Sequence, residues 1–87
     1  MSWTVKFDNH SLKQLKKLDK SVSRQIIDYM EDVSQLEDPF ARGSGLRGSL
    51  AGLWRYRVGD YRVICDIQAK VVTVFVVEIG HRSGIYD

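Results

Sequence analysis

With 87 residues, 44% of them hydrophobic and 28% charged, the chain is sized for a single soluble domain spanning residues 1–87. Its one cysteine, Cys65, excludes an intramolecular disulfide, no apolar run reaches the roughly 18 residues of a membrane span, and Met1-Ser2-Trp3-Thr4 lacks the charged and apolar regions of a secretion signal, so a cytoplasmic protein is expected. The net charge of +2 is unevenly spread: residues 1–42 hold seven basic and seven acidic side chains, residues 43–87 hold six and four, and the basic type shifts from mostly Lys to mostly Arg.

Trp3, Val5 and Phe7 alternate with polar residues, which predicts a short half-buried strand. Asp8-Asn9-His10-Ser11 supplies turn and N-cap residue types, and His10 reads as a turn residue. Leu12, Leu15 and Leu18 then recur at helical spacing. Asp19 and Ser21 are both candidate caps for a second helix, whose apolar stripe is Val22, Ile26, Tyr29 or Met30, Val33 and Leu36. That helix should stop before Asp38-Pro39, because the residue before proline is pushed out of the helical region. Lys13, Lys16, Lys17 and Lys20 fall at i, i+3, i+4 and i+7, opposite the leucines. Such a basic face is either a solvated surface or a contact for a nucleic-acid backbone.

Phe40 to Gly52 contains four glycines and two serines and reads as a loop anchored by Leu46. Leu53-Trp54-Arg55-Tyr56-Arg57-Val58 alternates, breaks at Gly59-Asp60, and alternates again from Tyr61-Arg62 to about Gln68. Gly in the first central position suits a two-residue type II′ turn. Such a turn sets Val58 opposite Tyr61 and Arg57 opposite Arg62. Two arginines across a ladder repel each other, which points to an anion held between them. Gln68-Ala69-Lys70 is a weak turn signal, and Val71 to Ile79 is a β-branched run expected to be a central strand buried on both faces. Gly80 is expected to end it, leaving His81 to Asp87 as a tail. The expected fold is α+β: an N-terminal strand, a two-helix hairpin, and a three-stranded antiparallel meander, with the helices packed on one face of the sheet.

Arg55, Arg57 and Arg62 are expected on one sheet face, about 6–7 Å apart along a strand, which is close enough to surround one phosphate. The last strand should bring His81 and Arg82 back beside Tyr61, gathering five basic side chains at one end of the sheet. Tyr61 and Tyr86 add rings able to stack on bases. The competing reading pairs these arginines with Asp60, Asp66 or Glu78 on a solvated surface. His81 is a candidate acid or base, since histidine titrates near neutral pH. Trp54 and Tyr56 should be core, and Cys65 a buried, inert thiol. Nothing in the sequence has the spacing of a metal site, a phosphate-binding glycine loop or a serine nucleophile elbow.

Leu12-Lys13-Gln14-Leu15-Lys16-Lys17-Leu18, Asp38-Pro39, Leu46-Arg47-Gly48, the arginine-rich strand with Gly59-Asp60-Tyr61-Arg62-Val63-Ile64, and Gly80-His81-Arg82 with Tyr86 together resemble the RelE/ParE superfamily of bacterial toxins. The resemblance covers nearly the whole chain. It implies a type II toxin held inactive by a cognate antitoxin, whose helix or strand would lie over the helices or the uncovered sheet face. The RelE branch is a ribosome-dependent endoribonuclease acting on mRNA, needing no metal or cofactor. The ParE branch poisons DNA gyrase instead. A third possibility is an inactive relative kept for antitoxin binding. By motif, the catalytic positions implied are Arg55, Arg57, Arg62, His81, Arg82 and Tyr86. Lys13, Lys16, Lys17, Lys20, Arg47 and Tyr61 form the implied RNA-binding set. Some relatives carry lysine where this chain has Arg55 and Arg57. Arginine stays protonated, so here these positions suit phosphate charge stabilisation rather than proton abstraction.

Overall fold

A two-residue turn at Gly59-Asp60 organises the sheet. In the computed structural model, which describes residues 2–85, it joins β3 (Trp54–Val58) to β4 (Tyr61–Gln68) with Val58 opposite Tyr61 and Arg57 opposite Arg62. Gly59 has φ +58 and Asp60 does not share the positive sign, as a type II′ turn requires. β4 then pairs antiparallel with β5 (Thr73–His81), and β5 pairs parallel with β1 (Thr4–Phe7). A fifth strand, β2 (Ser44–Gly45), closes the opposite edge, giving the order β1-β5-β4-β3-β2.

Two expectations are corrected by this sheet. The glycine-rich segment is not all loop, because Ser44 and Gly45 pair with Arg55 and Trp54. Nor does Gly80 end the last strand, which runs through it to His81. Gly80 is spared a side chain because Ile85 lies there, with its Cδ1 3.1 Å from where a Cβ would stand.

The helices are α1 (Asn9–Lys17) and α2 (Lys20–Ser34). The Asp8 carboxylate caps α1 by accepting the Ser11 N–H at 2.8 Å. Asp19 occupies the cap position of α2 without a side-chain cap bond. α2 ends at Ser34, ahead of Asp38-Pro39 as the proline rule predicts. Both helices pack on one face of the sheet. Leu15, Ile26, Met30 and Val33 meet Tyr56, Val58, Val63, Cys65, Val74, Val76 and Ile79 in a single core.

β1 stops at Phe7, so α1 takes over the edge of β5 beyond it. The Ser11 hydroxyl and the Asp8 N–H both donate to the Val76 carbonyl, and the Gln14 side-chain oxygen accepts the Ile79 N–H at 2.7 Å. These bonds satisfy backbone groups that a longer β1 would have paired. Gln14 and His10 both reach Glu78 as well. Val77 is the extra residue in the ladder, since Ile64 faces Glu78 while Cys65 faces Val76. β5 is an interior strand as expected, but it starts at Thr73, since Val71 closes a 3-10 turn and Val72 turns at φ +49, and its helix side is the more deeply buried, with Val74, Val76 and Ile79 closed off and Phe75 and Val77 half-buried. Among the described residues, no helix is long and apolar enough to cross a membrane.

Candidate functional site

The face of the sheet away from the helices is set by register. Arg57, Arg62 and Gly80 lie in one cross-strand row, and Arg55, Ile64 and Glu78 lie in the next. The three arginines therefore share a face, as the alternation of β3 and β4 demands. Their exposure differs. Arg57 is solvent-exposed and Arg55 half-buried, while Arg62 is only 6% exposed. Arg62 Nη1 donates to the carbonyls of Gly59 and Tyr61 at 3.1 and 3.0 Å, folding the guanidinium back onto its own turn. Ile85 sits over Gly80, directly beside Arg62 in the row, so the chain as far as Ile85 folds back onto this face. Tyr86 lies outside the described residues.

His81 shares the end of the sheet with the arginines but not their face. It stands opposite Tyr61, and the two rings meet edge to face with centroids 5.4 Å apart. Tyr61 itself packs against the core on the helix side. The expected gathering of five basic side chains is thus split, with His81 on the Tyr61 side of the sheet. The Ser83 N–H donates to His81 Nδ1 at 3.2 Å and the Ser83 hydroxyl lies 2.8 Å from the same atom. Nδ1 is therefore an acceptor, and a neutral ring carries its proton on Nε2. Arg82 returns to the turn. Its N–H donates to the Asp60 carbonyl at 2.8 Å, and its Nε lies 3.7 Å from the Asp60 carboxylate.

The lysines do not form one helix face. Lys13, Lys16 and Lys17 are exposed on α1, whereas Lys20 opens α2 across the break at Leu18-Asp19. Arg47 is exposed after β2, leading into a single 3-10 turn over Gly48–Leu50.

The second edge of the site is one that sequence reasoning missed. A pocket of about 250 Å³ opens beside β3, lined by Tyr29, Gly43, Ser44, Arg55 and Arg57. Ser44 Oγ accepts from Arg55 Nη2 at 2.8 Å, and the Arg42 guanidinium lies over the Tyr29 ring, 5.6 Å from its centroid. No local pattern marks Ser44 or Tyr29, because the first depends on a two-residue edge pairing and the second reads as part of a helix stripe. A second groove, of about 240 Å³, runs between β1 and α2 and is lined by Trp3, Val5, Phe7, Ile27 and Met30, with Glu31 and Ser34 also on its wall and Ile27 41% exposed.

Among the described residues, burial governs two shifted groups, both in the core. It pushes the Cys65 thiol far above its ordinary value of 9.0, with help from the nearby Asp66 charge. It likewise raises the Tyr56 hydroxyl, which donates to the Pro39 carbonyl at 2.6 Å. A thiol held protonated in this way is not a nucleophile.

Comparison with known proteins gives a consistent picture. Residues 5–86 match the family described as the ParE toxin of the type II toxin-antitoxin system parDE. The chain is 31% identical over 87 residues to Toxin RelG of Mycobacterium tuberculosis, covering 99% of this chain and 98% of that protein. It is 29% identical to the mRNA interferase toxin RelE of Escherichia coli, covering 100% and 93% respectively. Among solved structures, the RelBE2 toxin-antitoxin complex of M. tuberculosis contains a chain that superposes with a TM-score of 0.85 at 29% identity, covering 94% of this chain and 100% of that one. The RelE-RelB complex of Pyrococcus horikoshii gives 0.74 at 25% identity, covering 98% and 100%.

Proposed function

The chain belongs to the ParE toxin family of type II toxin-antitoxin systems, within the RelE/ParE superfamily, and on that premise we propose that it is a ribosome-dependent endoribonuclease that cleaves mRNA. The observation that carries this reading is the row in which Arg57 faces Arg62, with Arg55 in the adjoining row of the same face. In the proposed reaction the ribose 2′-hydroxyl attacks the adjacent phosphorus while the P–O5′ bond breaks. The products are a 2′,3′-cyclic phosphate and a 5′-hydroxyl. Fixed guanidinium groups stabilise the charge that builds on the phosphoryl oxygens, and such preorganised donors are commonly worth about 10²–10³ in rate each.

In this reading the proton of the 2′-hydroxyl passes to solvent water, and the leaving 5′-oxygen takes up a proton with the assistance of Arg82 or His81. His81, with Nδ1 engaged by Ser83, offers Nε2–H as a hydrogen-bond donor, and it does so from the Tyr61 side of the sheet. Arg82, tied to Asp60 at the hairpin turn, is the arginine this reading assigns to the leaving 5′-oxygen. Tyr86 is retained as the base-stacking residue from the motif. The ribosome would supply orientation of the mRNA, a contribution that reaches several powers of ten when reacting groups are held in line. Lys13, Lys16, Lys17, Lys20 and Arg47 are exposed and suited to ribosomal RNA backbone. The site of action is accordingly the cytoplasm.

A cognate antitoxin is the proposed regulator. The groove between β1 and α2 is the apolar surface it would cover, and the neighbouring pocket over Lys20, Ser23, Arg24 and Ile27 favours an acidic rim on that partner. The complexes of RelE with RelB among the structural neighbours support a cognate antitoxin as partner. A second reading, inhibition of DNA gyrase, is favoured by one observation: the matching family is named for ParE.

Primer extension on a translated mRNA after brief expression separates the two. The nuclease reading predicts cuts within codons, dependent on translation and lost in Arg57→Ala/Arg62→Ala. Intact mRNA with accumulating gyrase–DNA cleavage complexes would establish the second reading instead.

A further inference from the structure

We propose that Ser44 is a positioning residue, which aims the Arg55 guanidinium into the pocket at the edge of β3. Its catalytic consequence rests on the nuclease reading, whereas the positioning itself does not. The contact is specific: Ser44 is the cross-strand partner of Arg55, and its Oγ accepts from Arg55 Nη2 at 2.8 Å. An arginine side chain has many rotamers, and ordering it opposes ligand binding. A hydroxyl on a fixed strand removes part of that freedom before the ligand arrives.

Ser44 is itself fixed. Segment 39–45 is clamped to β3 by side chains that alternate with Arg55. Trp54 Nε1–H donates to the Arg42 carbonyl at 2.7 Å, and the Tyr56 hydroxyl donates to the Pro39 carbonyl at 2.6 Å. Gly43 lies so close that a Cβ there would clash with the Arg55 carbonyl oxygen, and its φ of +77 is one that other residues rarely adopt. β2 is therefore pressed onto β3 at the one point where its next side chain reaches Arg55. Arg57 and Tyr29 line the rest of the same pocket, so Arg55 is aimed where a second cation and an aromatic ring already stand. A phosphate with its attached nucleotide is the ligand this combination fits.

The test uses the full chain as Ser44→Ala, Ser44→Thr, Arg55→Ala and Ser44→Ala/Arg55→Ala. Two readouts are taken: single-turnover mRNA cleavage on programmed ribosomes, and the NMR order parameter of Arg55 Nε–Hε. Ser44→Ala should lower the cleavage rate about tenfold, a fraction of the 10²–10³ carried by a whole donor, with half-saturation changed less than about twofold. Ser44→Thr should restore most of the rate. In the Arg55→Ala background Ser44→Ala should have no further effect, and the Arg55 order parameter should fall in Ser44→Ala alone. An undiminished Ser44→Ala effect without Arg55, or an Arg55 signal insensitive to Ser44→Ala, overturns the proposal. A wild-type protein that cuts no mRNA removes the nuclease reading, and the NMR arm then decides the positioning by itself.

Discussion

Arg62 carries two demands at once, being nearly buried while facing the site. Its hydrogen bonds to the Gly59 and Tyr61 carbonyls hold the turn, and hydrogen bonds to a charged group are worth about 1.5–3 kcal/mol. Arg62→Ala should therefore lose stability in urea titration by about that amount and reduce cleavage about 10²–10³-fold, the loss expected for a phosphate donor. Arg57→Ala, at an exposed position, should reduce cleavage by a similar factor while leaving the urea midpoint nearly unchanged. His81 and Arg82 are neighbours with different prospects. The ring of His81 lies against Tyr61, on the side of the sheet away from Arg57 and Arg62, so His81→Ala should cost less activity than Arg82→Ala in the same assay. An Arg82→Ala variant that cuts as well as wild type would remove that residue from the leaving-group step.

Secondary-structure elements show which signals the sequence carries locally. The hairpin register was legible because Gly59-Asp60 interrupts two alternating runs, and a two-residue turn leaves one register available. The apolar stripe of α2 and the strand end at Gln68 were legible for the same local reasons. What was not legible depends on distant partners. β2 is two residues long and exists because β3 has an edge to offer, and β1 joins β5 in parallel across the whole helical segment. The continuation of β5 past Gly80 is visible only once Ile85 is seen packed on that glycine. The split of the lysines arose because helical spacing was extended through the Leu18-Asp19 break. The two helix caps offer a direct comparison. Asp8 accepts the Ser11 N–H, so Asp8→Ala should cost about 1 kcal/mol in denaturant unfolding. Asp19 makes no such bond, and Asp19→Ala should cost only a few tenths of a kcal/mol.

Across the whole molecule, one helix-covered core supports a basic face, and the core has its own pH signature. Cys65 and Tyr56 are both held protonated by burial, so the folded chain binds protons more tightly than the unfolded one above the ordinary thiol value of 9.0. Their contribution is fully present below that pH and is lost as pH rises toward their elevated folded values. Urea midpoints should accordingly fall between pH 9 and pH 11, and Cys65→Ala should make that fall shallower even though its midpoint at pH 7 is lower. The proposed substrate face is the one opposite the helices, where Arg57 and Arg62 share a row and Arg55 lies in the next. The most direct test is to react the purified chain with ribosomes programmed with end-labelled mRNA, without added antitoxin, and to determine the chemistry of the new RNA ends. A 2′,3′-cyclic phosphate with a matching 5′-hydroxyl, formed only on the ribosome and lost in Arg57→Ala/Arg62→Ala, is the predicted result. Uncut mRNA, or cleavage that the double variant performs as fast as the wild type, would contradict it.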